Sequence, residues 1–190
     1  MLKNLITELM EFKASDDFEE SERLAFLDFL KCNSDVLFRD NLIAHVTASS
    51  WIVNETFTKA LMCYHNIYKS WSWTGGHADG NPDLKSVAIK EASEETGIKN
   101  FKLLIPKFYD VEVIPVPPHY KRGIAVGNHL HLNVTYLLLA DESEELNIKE
   151  DENSNVAWLE VSKLDKLVTE KDMLPIYHRL HNKALRRKSL

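Results

Sequence analysis

Three carboxylates, Glu91, Glu94 and Glu95, close the stretch W-T-G-G-H-A-D-G-N-P-D-L-K-S-V-A-I-K-E-A-S-E-E-T-G-I, residues 73–98. On a helix, spacings of three and four residues place them on one stripe. The same stripe carries Leu84, Val87 and Ala88, so the acids prolong a packing face instead of a solvated one. They also stand at the negative end of the helix dipole, where each acid costs about 0.3–1 kcal/mol. A cation is the natural offset. Clustered carboxylate oxygens suit a hard ion, Mg2+ or Mn2+, which keeps some waters and bridges to phosphate oxygens. By itself E-x-x-E-E is a common solvated helix pattern. The pair Gly75-Gly76 shifts the reading, because glycine lets backbone approach a ligand closely, and either residue offers a carbonyl oxygen to the same metal.

The helix that must hold these acids has its own signals. Asn81 suits an N-cap, Pro82 the first helical position, Asp83 the positive dipole end and Gly97 the C-terminal stop. The spacing predicts a helix over residues 82–96. Ahead of it, Leu2, Leu5, Ile6, Leu9 and Met10 form one helical stripe and Leu24, Phe26, Leu27 and Leu30 a second. Residues 1–40 therefore read as a helical hairpin, with packing on the main domain favoured over an oligomer contact (a homodimer) or a substrate lid. Strand composition follows in 45–53 and 59–65, with Asn54-Glu55 as the turn. After the helix, 101–106 and 108–116 read as strands. Residues 115–128 read as a Pro/Gly-rich loop, 129–140 as a long strand buried in its apolar half, and 155–161 as a last strand before two helices. Strands interleaved with few helices predict an α+β sandwich on a mixed sheet.

Other side chains have chemistry to offer. His129 and His131 fall on the same side of a strand, a spacing that binds metal, yet no third ligand is evident in the sequence. Hydrogen bonding is the stronger reading there. His77, next to Gly76, suits a phosphate contact or a loop-fixing hydrogen bond. His119, Tyr120, Lys121 and Arg122 make the best polar segment for gripping an anion, with Tyr available to stack on a base. Trp71, Trp73 and Trp158 read as packing. Cys32 and Cys63 lie far apart in no CxxC spacing, which points to a reducing compartment and no zinc knuckle. A formal charge of −6 argues against a general nucleic-acid or membrane-surface binder. No signal-peptide pattern and no membrane-spanning apolar run is present, so a soluble cytoplasmic protein is expected.

Taken together, residues 76–98 resemble the Nudix box, G-x5-E-x7-R-E-U-x-E-E-x-G-U with U a bulky apolar residue. Gly76, Glu91, Glu94, Glu95, Gly97 and Ile98 match it. Pro82 stands where the pattern has its first Glu, Lys90 where it has Arg, and Ala92 at the bulky position. The resemblance implies a Nudix-like α/β/α sandwich over residues 41–190, with 1–40 as an extension. It implies a hydrolase that cleaves a diphosphate linkage in a nucleoside diphosphate derivative, ADP-ribose-like or a modified nucleotide. It implies Mg2+ or Mn2+ held by Glu91, Glu94, Glu95 and the Gly75 carbonyl. Glu152 leads the candidates for general base, ahead of Glu95 and His119. Two alternatives stand beside it. A non-catalytic nucleotide sensor is favoured by Pro82 and Lys90. An isoprenyl diphosphate isomerase needs a reactive Cys and a histidine cluster near the start of the domain, neither of which stands out in the sequence.

Overall fold

The sheet is built on β1, Ala44–Val53, in which all ten residues are buried. A computed structural model of the protein describes residues 2–121, 123–149 and 153–188. β9, His129–Leu139, runs parallel to β1 along its whole length, from Ala44 beside Leu130 to Val53 beside Leu139. The other edge of β1 is divided. Thr47–Ser50 pairs with β4, Thr74–His77, and Ile52 and Val53 pair with β2, Lys59–His65. β10, Asn153–Glu160, and β3, Ser70–Ser72, both pair with β2. β6, Asp110–Val116, and the two-residue β5, Lys102–Leu103, line the far edge of β9. The result is one mixed sheet of eight strands, as the composition predicts.

Segment 101–106 yields far less strand than its apolar run suggests; the chain bends into a turn before Pro106, which cannot donate to a ladder. The Pro/Gly-rich segment departs the other way. It contains a ribbon of its own, β7 (His119–Lys121) paired with β8 (Ile124–Val126), where a loop is expected. Gly123, at φ 80, turns the chain tightly enough for Tyr120 and Ala125 to pair.

The helices cover both faces. α1, Lys3–Glu11, and α2, Asp17–Cys32, form the expected hairpin. α2 opens on a reciprocal cap. The Asp16 carboxylate accepts from the Glu19 N–H at 2.9 Å, and the Glu19 carboxylate accepts from the Ser15 N–H at 2.6 Å. Leu5, Leu9, Phe26 and Leu30 share one core with Val46, Ala48, Ala78 and the central helix residues Leu84 and Val87. The hairpin thus completes the core that seats the central helix. Leu9, fully buried, should cost about 2–5 kcal/mol when cut to Ala. A urea midpoint unchanged in Leu9→Ala would show that α1 is an appendage.

The opposite face packs against α5, Leu174–Lys188, through Tyr177, Leu180 and Ala184 on Trp51, Met62 and Leu137. Charges knit α5 to β6 and α2. The Arg179 guanidinium donates to Asp110 at 2.7 and 3.0 Å. Lys183 Nζ lies 2.8 Å from Asp110 and 2.6 Å from Glu19, both carboxylates fully buried. No helix among the described residues is long and apolar enough to cross a membrane.

Candidate active site

The central helix, α3, spans Leu84–Thr96, two residues shorter at its start than predicted. Asn81 is not the cap. Its side-chain oxygen accepts from the Asp83 N–H at 3.0 Å, and Asp83 in turn caps the helix by accepting from the Ser86 N–H at 3.2 Å. Pro82 therefore lies in an Asx turn ahead of the first helical residue. Gly97, left-handed at φ 82, ends the helix with its N–H on Ser93 O.

Leu84, Val87, Ala88 and Ala92 are buried, and the stripe does run on into the acids. Their depths differ. Glu95 is 6% exposed, the Glu91 side chain 16% and the Glu94 side chain 41%. Glu95 Oε2 accepts from the Gly75 N–H at 3.2 Å and so fastens α3 to β4. Gly76 lets Glu91 lie against the strand: a Cβ there would stand 2.5 Å from the Glu91 carboxyl carbon. Two ammonium groups share the outer acids. Lys90 Nζ is 3.1 Å from Glu94 and 3.7 Å from Glu91; Lys149 Nζ is 3.6 Å from Glu94 and 4.0 Å from Glu91. The Lys90 ammonium beside it holds the Glu94 carboxyl below the usual carboxylate range. Lys149 was invisible in sequence, a lone base in an acidic connection. Asn147 anchors that connection to the helix end, its N–H on Thr96 O at 2.8 Å.

The carboxylates thus form a cluster that already takes cations, and an all-oxygen donor set fits Mg2+ or Mn2+. They are not gathered around one point, however. Among the described residues, the three side chains that bring a ligand atom each within 4.8 Å of one another are His45, His77 and His131.

That trio answers the missing third ligand of the H-x-H spacing. The parallel register sets His45 of β1 directly beside His131 of β9. His77, read as a phosphate contact or a loop-fixing hydrogen bond, has its ring 5.0 Å from His45 and 4.9 Å from His131. His129 joins them, its Nε2 3.3 Å from the His131 Nε2. Burial, with four neighbouring imidazoles, pushes His131 down to about 2, and burial lowers His45 too, so both are neutral at pH 7.

On the same sheet face a polar ladder runs inward. Thr47 and Ser49 donate to Asn133 Oδ1 at 2.8 and 3.0 Å, and Asn133 and Thr135 donate to Glu112 at 2.8 and 3.0 Å. Burial, then the Asp110 charge, raises the fully buried Glu112 well above the carboxylate range.

The anion-gripping segment is drawn toward the histidines. His119 Nδ1 meets Pro117 O at 3.0 Å, and its ring lies 6.2 Å from His129. Tyr120 is exposed. The Lys121 side chain, Arg122 and Glu152 lie outside the described residues. Trp71 and Trp73 pack edge-on to Tyr64 and Tyr177, as expected of packing residues. Cys63 is buried, its thiol pushed up by burial and directed at Glu95 O, so it brings no reactive thiolate to the histidines.

Sheet, helix and glycine strand together define a domain class. The family model of the NUDIX domain matches residues 44–180, and the chain belongs to the Nudix hydrolase family, whose members act on pyrophosphate bonds. Solved structures share the fold at low identity. A NUDIX-family hydrolase from Clostridium perfringens is 19% identical, with a TM-score of 0.51 over 73% of this chain and 96% of that one. The Nudix hydrolase RenU from M. smegmatis is 13% identical, with a TM-score of 0.51 over 75% and 86%. The NUDIX domain of Shewanella oneidensis NrtR, complexed with ADP ribose, is 16% identical, with a TM-score of 0.50 over 75% and 86%. No curated protein matches the chain.

Proposed function

We propose that the protein is a Mg2+- or Mn2+-dependent hydrolase of a diphosphate linkage in a nucleoside diphosphate derivative. The observation that carries this reading is the seating of Glu91 against Gly76 and of Glu95 against Gly75, with Glu94 beside them at the rim and cationic groups already drawn to the outer acids. Glu91, Glu94, Glu95 and the Gly75 carbonyl would hold the ion. When bound, it supplies Lewis-acid stabilisation of charge building on the diphosphate oxygens. Glu95 fixes the glycine strand to the helix. Glu94, ionised at the rim, is the acid freest to change partner. Lys90 and Lys149 supply positive charge that can turn from the carboxylates to phosphate oxygens. His119 and Tyr120, with Lys121 and Arg122, would grip the nucleotide, and Glu152 remains the leading general base. The ADP ribose held by the Shewanella domain favours a sugar-nucleotide substrate.

The test is a panel of nucleoside diphosphate derivatives, ADP-ribose and modified nucleoside triphosphates included, assayed with Mg2+ for release of nucleoside monophosphate or phosphate. Metal-dependent turnover of one of them is expected. Micromolar binding without turnover would make the protein a sensor, the reading that Pro82 and Lys90 favour.

A further inference from the structure

We infer that His45, His77 and His131 form a second metal site, for a zinc-type transition ion, separate from the carboxylate helix. Three ligand atoms within 4.8 Å of one another can share one ion. All are imidazole nitrogens, which suit Zn2+ and its neighbours and are poor donors for Mg2+.

The strongest support is the state of His45. Its Nδ1 lies 3.0 Å from the Asn41 carbonyl oxygen. A carbonyl only accepts, so Nδ1 carries the proton and Nε2 presents a lone pair. That Nε2 is buried, on a residue 5% exposed, with no hydrogen-bond partner. A buried acceptor left unsatisfied costs about 1–3 kcal/mol, and an ion would satisfy it.

The surroundings match the second shell of a metal-binding histidine, in which the far ring nitrogen donates to a backbone carbonyl and fixes the tautomer. His45 does so on Asn41. His129 does so on Gly127 at 2.9 Å and His119 on Pro117 at 3.0 Å, so both aim Nε2 away from the backbone. The trio itself sits on three paired strands: His45 on β1, His77 on β4, His131 on β9. Three protein ligands leave a fourth position, which His129 adjoins. Residues of β4 alternate in direction, so His77 faces away from the side on which Gly76 meets Glu91. An ion among the histidines and one on the carboxylates would therefore lie on opposite faces of β4.

The experiment uses the full chain, stripped with chelator and titrated with Zn2+ in excess Mg2+, with bound metal counted by elemental analysis. One zinc per chain is expected, raising the unfolding temperature. His45→Gln and His131→Gln should weaken zinc binding by at least ~100-fold, beyond the 10–100-fold typical of outer-shell changes. Glu94→Gln should keep its zinc while losing the Mg2+ response, so failure here and failure of the hydrolase reading are distinguishable. Absence of zinc uptake, or full zinc affinity in a folded His45→Gln, overturns the site. Should both histidine variants misfold, X-ray absorption of the zinc-loaded wild type decides. An imidazole-rich shell at roughly 2.0–2.1 Å supports the site and an oxygen-only shell refutes it.

Discussion

Glu94→Gln is expected to remove divalent-metal-dependent turnover, by about 10²-fold or more, while leaving the fold standing. Removing one group aimed at charge that develops in a transition state typically costs that much. The choice of Glu94 follows from its position. Glu95 is buried and holds the Gly75 N–H, so its replacement would disturb the strand as well as the charge. Glu94 stands at the rim, and the partners it would lose are exposed or half-exposed lysines, Lys90 and Lys149. Such surface pairs are worth about 0–1 kcal/mol, so the unfolding temperature should move by no more than about 2–4 °C. Lys90 holds the Glu94 carboxyl below its ordinary range, so Glu94 stays ionised throughout the neutral range and well into acid. An activity loss below pH 7 would accordingly have another source. A fully active Glu94→Gln would remove the acid from the metal set.

Arg179→Met should be the most damaging single change to stability, about 3–5 kcal/mol, because it leaves a buried charge without its main partner. Asp110 is fully buried and accepts from both Nε and Nη2 of the guanidinium. Lys183 remains 2.8 Å away, but it is already shared with the buried Glu19. For a chain of this size the loss corresponds to a fall of about 6–20 °C in unfolding temperature. The double variant Asp110→Asn/Arg179→Met should recover much of it, since the orphaned charge is gone. If the double variant is no more stable than the single, the pair is not what holds α5 to β6. Glu112, next in the cluster, works in the opposite sense at high pH. Its folded form stays protonated above the unfolded value, so its contribution is full below the ordinary carboxylate range and declines as pH rises above it.

Local signals carried much of the fold. β2 could be read residue for residue from composition, and Gly97 marked the end of α3 because only a left-handed residue fits there. The start of α3 was misplaced by two residues because Asn81, Pro82 and Asp83 are all good opening residues, and an Asx turn decided among them. The β7–β8 ribbon was hidden in prolines and glycines that equally describe a loop. What sequence could not supply is adjacency across the sheet. His131 and His129 were visible as a pair; His45 joins them only because β1 lies parallel to β9 in one register. Glu112 and Lys149 are of the same kind, ordinary in their own segments and distinctive only beside distant neighbours.

That parallel register has a kinetic side. Partners such as Thr47 and Asn133 are 86 residues apart in the chain. β1 therefore leaves the ribosome long before the strand that completes it, and closing so long a loop must precede any return from the contact. Until residue 139 is available, A-S-S-W-I-V waits as an apolar strand with one edge open. Nascent chains halted before β9 should be the species that cells shield with chaperones, and the histidine trio, which takes His131 from β9, cannot assemble on them.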